Sequence, residues 1–141
     1  MTHAATLERY APYALGVLRI VTGLIFLSHG LQKLFGLPGL PAGVAMPELF
    51  SFMWFGGVLE FFGGLLLLIG LFTRCVAFVL SGEMAVAYWM FHAPKSLFPV
   101  LNGGDAAILY CFVFFYLVFA GPGVWSIDQA REGSREDRRA L

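Results

Sequence analysis

Four apolar stretches, each close to the length of a membrane span, fill most of this 141-residue chain. They run from about Ala11 to Phe35, Glu48 to Leu71, Thr73 to His92 and Asp105 to Ala120. A helix rises ~1.5 Å per residue, so about 20 apolar residues cross the hydrocarbon core of a bilayer. The stretches are apolar all round rather than striped. Membrane barrels are built instead from alternating segments of ~10 residues. In hydrocarbon every backbone N–H and C=O must be paired, and a helix does this within a single segment. The pattern therefore predicts an all-α integral membrane four-helix bundle.

Composition agrees. Hydrophobic residues make up 59% of the chain and charged residues 13%, against ~45–50% and ~25% in soluble domains. A soluble chain this short has too little interior to hide the excess. The formal net charge of zero gives no reason to expect a nucleic-acid partner. The first stretch is about twice as long as the apolar core of a cleaved signal, and Arg19, His29 and Lys33 interrupt it, so it reads as retained. Breaks fall at the Gly/Pro-rich connector Gly36–Pro47, at the connector after His92, and at Gly121-Pro122-Gly123. Residues 1–128 read as a single domain, and residues 129–141 as a charged, loosely ordered cytoplasmic tail.

Lys and Arg placement sets an expected orientation. With the N-terminus inside, the inner side holds Arg9, Arg74, Arg131, Arg135, Arg138 and Arg139, whereas the outer connectors hold Lys33 and Lys95. Both termini are then cytoplasmic. Tyr10, Tyr13 and Trp125 fall at one headgroup level, and Tyr88 and Trp89 toward the other.

Ionisable side chains inside a span are costly and therefore informative. Arg19, Glu60 and Glu83 lie within the first, second and third stretches. Glu60 and Glu83 are each nine to eleven residues from the connector around Arg74, which places them at similar depth. An Arg facing two carboxylates lowers the cost of burying all three, and the trio is suited to sharing a proton. The same network can equally do no more than fix helix register, and Arg19 has the further option of snorkelling to the inner surface. Gly16, Gly23 and Gly30 recur every seven residues near the face of Arg19 and Lys33. Gly56, Glu60, Gly63 and Gly64 share a face of the second helix, where small residues allow close helix approach.

A second polar group gathers toward the outer mouth: His29, Lys33, His92, Asn102 and Asp105. It suits a small ligand such as a quinone headgroup. Asp105 also has a plain role at the positive end of its own helix, and Asn102-Gly103-Gly104 forms a capping turn. The histidine spacing matches no metal motif, so no metal is assigned. Cys75 and Cys111 fall at different depths, which disfavours dithiol chemistry within the chain. No nucleotide, phosphate or nucleophile-elbow motif occurs.

The segments LRIVTGLIFLSHGLQKLFG (18–36), LEFFGGLLLLIGLFTR (59–74), GEMAVAYWMFHAPKSLFPVLNGGD (82–105) and LYCFVFFYLVFAGPGVWSID (109–128) resemble the DoxX family of small bacterial membrane proteins. The resemblance carries Arg19, His29, Gly30, Lys33, Glu60, Thr73, Arg74, Glu83, His92, Asn102 and Asp128 as family-pattern positions. Two departures stand out: Asp105 where the family more often has Glu, and Cys75 where many relatives have a small residue or Pro. The resemblance implies a multi-pass protein of the bacterial inner membrane with a redox association. Some members are small subunits of a thiosulfate:quinone oxidoreductase, and others join complexes that counter oxidative stress.

Three functions are compatible with these features. One is a membrane-embedded partner or small subunit in a quinone-linked or oxidative-stress process, an oxidoreductase subunit if it is an enzyme at all. In it Glu60, Glu83 and Arg19 handle protons, and any flavin or metal belongs to a soluble redox partner. The second is a non-catalytic scaffold that recruits soluble proteins through its charged tail. The third is a small-molecule or proton carrier, which four helices would favour only as a homo-oligomer.

Overall fold

The computed structural model describes the backbone of residues 3–139 and the side-chain surroundings of residues 7–134. It is helical throughout its ordered elements: α1 (His3–Phe35), α2 (Phe52–Ile69), α3 (Thr73–Ala87), a π-helical turn (Tyr88–His92), the single-turn α4 (Pro99–Asn102), α5 (Asp105–Ala120) and α6 (Ile127–Arg139). α1, α2 and α3 with its π turn are long and apolar enough to cross a membrane, and α5 is a shorter apolar helix. Their outward faces carry bare aromatic and aliphatic side chains such as Leu24, Phe62, Phe78 and Phe112. Lipid is the solvent those faces require.

Two helix pairs build the bundle. α1 packs along α2 and α3 along α5, while the seam between α2 and α3 is thinner. Glycines explain the first pair. A Cβ on Gly30 would run into the backbone of Phe61, and one on Gly64 would lie 2.5 Å from the Leu27 nitrogen. Missing side chains thus let α1 and α2 touch backbone to backbone. The glycine face expected on α2 is divided: Gly57 and Gly64 meet α1, whereas Gly56 and Gly63 look toward Glu83 and Leu80 of α3. Phe26, Leu67, Leu80, Met84, Phe114 and Leu117 fill the centre.

Several boundaries differ from the sequence reading. α2 begins at Phe52 rather than near Glu48, because the Ser51 hydroxyl accepts from the Trp54 N–H and caps the helix. α2 ends at Gly70, whose left-handed φ of 67° turns the chain toward α3. The tail expected to be loosely ordered from residue 129 is instead helical as far as it is described, as part of α6 (Ile127–Arg139). Its anchor is Asp128, whose carboxylate accepts from the N–H groups of Phe72 (2.9 Å) and Thr73 (2.8 Å). A side chain from α6 therefore caps the start of α3. Arg135, Arg138 and Arg139 lie outside the residues whose side chains are described.

The bundle has two dissimilar ends. The turn end holds the α2–α3 turn, the 121–126 loop, and the Tyr10, Tyr13 and Trp125 rings; Tyr13 and Trp125 meet edge-on at 5.7 Å. The connector end holds residues 36–51 and 93–104.

Candidate functional site

Arg19 belongs to the turn end. It is fully buried, and its five N–H donors all reach backbone carbonyls. Nε donates to Pro122 (2.7 Å), Nη1 to Leu67 (2.5 Å) and Leu68 (2.9 Å), and Nη2 to Val124 (3.1 Å) and Trp125 (2.9 Å). Leu67 and Leu68 belong to the last turn of α2, where the helix dipole is negative; the Leu68 carbonyl has no i+4 donor there, and the Leu67 carbonyl shares its acceptance with the Gly70 N–H. The expected Arg19–Glu60–Glu83 trio is thereby corrected. A guanidinium is a planar fork that saturates on several acceptors at once, and the carbonyls clustered at this helix end outcompete two carboxylates farther along the bundle. Nor does Arg19 snorkel to the surface.

The cation beside Glu60 is Lys33. Its Nζ stands 2.6 Å from Glu60 Oε1, and this is the one ion pair among the described residues. The two side chains come from facing helices: Lys33 lies one turn beyond Gly30, where α1 and α2 are in backbone contact. Glu60 is buried, and its second oxygen, Oε2, has no hydrogen-bond partner. Glu83 Oε2 is buried without a partner as well, and its Oε1 faces the bare Cα of Gly56.

These groups line one cavity of about 450 Å³, within the ~300–1,000 Å³ range of small-molecule pockets. Its walls come from all four apolar helices and include Phe26, Phe55, Leu59, Met84 and Tyr110, so it is largely apolar with a few polar groups. His29 lines it with its ring edge toward Tyr110 at 6.2 Å, and so does His92, whose Nδ1 lies 3.1 Å from the Asn102 carbonyl. The structure thus brings together Glu60, Glu83, Lys33, His29 and His92.

Asn102 and Asp105 stay apart from the cavity. Asn102 is spent on the connector: Oδ1 accepts from the Gly104 N–H at 2.7 Å and Nδ2 donates to the Ser96 carbonyl at 2.7 Å. Its capping-turn role stands, and its ligand role is corrected. Asp105 is exposed in the first turn of α5, where its charge faces the positive helix end. A short carboxylate at that position projects outward rather than back into the bundle.

Tyr110, Gly56 and Gly82 are site residues that the sequence reading passed over. A tyrosine within a Phe/Leu/Val run was the signal for the first. Gly56 looked like a packing position and Gly82 was not singled out, and nothing in one sequence separates a glycine against a neighbour from a glycine beside a void.

A helical bundle with a partly charged cavity at membrane depth defines a multi-pass membrane protein with an internal site. Sequence comparison makes the assignment specific: the model of the DoxX family matches residues 14–93. The chain belongs to the DoxX family. An uncharacterized protein of Haemophilus influenzae is 43% identical over 129 residues, covering 86% of this chain and 93% of its own. An uncharacterized membrane protein of Mycobacterium tuberculosis is 29% identical over 147 residues, covering 87% and 84%. No solved structure gives a significant match.

Proposed function

We propose that this protein is a membrane-embedded partner in a quinone-linked redox process, holding a quinone headgroup in the cavity between its helices. The observation that carries the reading is the polar triad at the cavity wall: the Lys33–Glu60 pair with the unpartnered carboxylate oxygens of Glu60 and Glu83. A quinone carbonyl takes a hydrogen bond from a lysine, and a quinol hydroxyl gives one to a carboxylate. Reduction of a quinone to a quinol consumes two electrons and two protons. Glu60 and Glu83 are placed to pass the protons, and the electrons come from a partner subunit or soluble redox protein. His29 and His92 add polar edges to the cavity lining. The cavity's apolar walls suit the ring, and the family's redox members support the class of chemistry.

The protein sits in the bacterial inner membrane in this reading, with both termini cytoplasmic. Lysine and arginine placement supports that orientation: Arg74 and Arg131 mark the turn end, Lys33 and Lys95 the connector end.

The test is quinone binding by purified protein in nanodiscs. Native protein binds a long-tailed quinone, and Glu60→Gln weakens binding at least tenfold while inserting and accumulating normally. Absence of binding by the native protein overturns the reading. Deleting the residues after Ala130 addresses the scaffold alternative: quinone binding survives the deletion if the cavity is the working part. Substrate flux in sealed vesicles would instead favour a carrier.

A further inference from the structure

The cavity opens sideways. Phe55 and Leu59 of α2 and Val79 and Val86 of α3 all line it, yet each is also exposed on the outer surface of the bundle. A void walled by lipid-facing side chains of two adjacent helices communicates with the space between those helices. The seam is closed above and below this stretch. Toward the turn end, Leu80 packs onto Gly63, leaving 2.7 Å to where a Cβ would stand. Toward the connector end, the rings of Phe52 and Phe91 lie 6.0 Å apart. From Val79 to Phe91 the lining of α3 and its π turn extends over roughly 18 Å along the helix axis.

Gly82 lies inside this interval and lines the cavity, and a Cβ there would meet nothing within 4 Å. Packing glycines such as Gly30, Gly63 and Gly64 are filled by a neighbour; Gly82 of α3 borders open space. Its depth matters too. Nine residues separate it from Thr73 and ten from His92, so it sits ~13–15 Å from either end of the span, in the middle of the hydrocarbon. Anything passing Gly82 comes from lipid, not from water.

We propose that the α2–α3 seam is a lateral portal for a lipid-dissolved ligand made of a polar head and a hydrocarbon tail. The head lodges against Lys33, Glu60 and Glu83, the tail remains in the bilayer, and Gly82 is the threshold between them. This rests on the quinone reading for the identity of the head, and extends it to the tail and the route. Small-residue contact alone would have needed a neighbour at Gly82, and there is none.

Gly82→Trp is the informative substitution. Tryptophan is a better helix residue than glycine, and the position points into free space, so the fold is spared while the opening is filled. Binding of a long-tailed quinone falls at least tenfold, whereas a tailless analogue changes less than threefold. Phe112→Trp, on the lipid face of α5 and outside the cavity lining, leaves both unchanged. Equal loss of both ligands, or loss of neither, overturns the portal. A second measurement does not depend on quinones. In a Cys75→Ser, Cys111→Ser background, Gly56→Cys carries a bimane fluorophore on the cavity wall. Lipids brominated at mid-chain quench it, and adding Gly82→Leu, which fills the opening without an indole, relieves the quenching. If native protein binds no quinone but the quenching behaves so, the ligand reading falls and the portal stands. If mid-chain lipids do not quench, the portal falls whatever quinone does.

Discussion

At the turn end Arg19, fully buried, spends every N–H on a carbonyl. Half a bundle away, Glu60 has one oxygen on Lys33 and one on nothing, and Glu83 Oε2 has no partner either. All three side chains carry ionisable groups at membrane depth, and all are costly to place there. They differ in what is left over. A buried group with all its bonds made holds the fold in one arrangement. A buried group with an acceptor to spare, beside a cavity, has capacity for something that is not part of the chain. The contrast teaches that satisfaction, more than charge or depth, separates a structural ion from a candidate working one.

The most severe way to probe this contrast is at the saturated end. Arg19→Leu removes five donors and strands four carbonyls, those of Leu68, Pro122, Val124 and Trp125, while the Leu67 carbonyl keeps the Gly70 N–H. Each orphaned buried group costs about 1–3 kcal/mol, and stripping one side of a buried charged network costs ~3–5 kcal/mol. The expected result is loss of the monodisperse species in detergent. Arg19→Lys offers one point charge in place of a planar fork and recovers only part of the thermal stability. A fully stable Arg19→Leu protein would refute the claim that the turn end is held by this side chain.

Next in size are the glycines. Gly30→Ala and Gly64→Ala drive a methyl into the facing backbone and force α1 and α2 apart, at about 2–3 kcal/mol. Gly82→Ala meets nothing and gains helix propensity, stabilising by up to ~1 kcal/mol. Thermal unfolding in one detergent, read on all three, tests whether the close-packed pair and the open seam respond with opposite signs.

The ion pair gives a smaller effect. Lys33→Met leaves Glu60 buried without its cation and costs about 1–3 kcal/mol. Adding Glu60→Gln in the same chain returns most of that loss, because the uncompensated charge is gone. The double-mutant cycle reads the coupling directly. Additive effects would mean that the 2.6 Å contact contributes nothing, and the cavity end would then have no internal pairing at all.

Much of this was legible from the chain. Solvent-independent helices follow from four apolar runs, and helix phase placed glycines and carboxylates on inward faces. What was not legible was which cation meets which anion. Depth estimates put Arg19 within reach of Glu60 and Glu83 and left Lys33 with the polar group at the outer mouth. The choice was made by backbone: the α2 end and the 121–126 loop bring five carbonyls to one point, and no side-chain pattern announces where carbonyls converge. Asn102 escaped for a related reason, since its bonds go to the main chain of its own connector. Asp128 was visible as a family-pattern position, but its job capping α3 requires α6 to fold back, and a polar, charged segment of the kind read as a solvated tail gives no such signal.

The mildest perturbation bears most directly on the contrast. Glu83 has no hydrogen bond among the described residues, and its nearest glycine neighbour offers only a bare Cα. Glu83→Gln therefore removes no contact within the chain, and the change in thermal midpoint should be within that of an ordinary surface substitution, ~0.5 kcal/mol or less. Headgroup binding should nonetheless fall severalfold, since the lost carboxylate is the free acceptor. Arg19→Leu does the reverse, ruining stability at a position that touches no ligand. If Glu83→Gln instead destabilises as Arg19 variants do, with binding per folded molecule unchanged, then the carboxylate is another structural ion and the two ends of the bundle are alike.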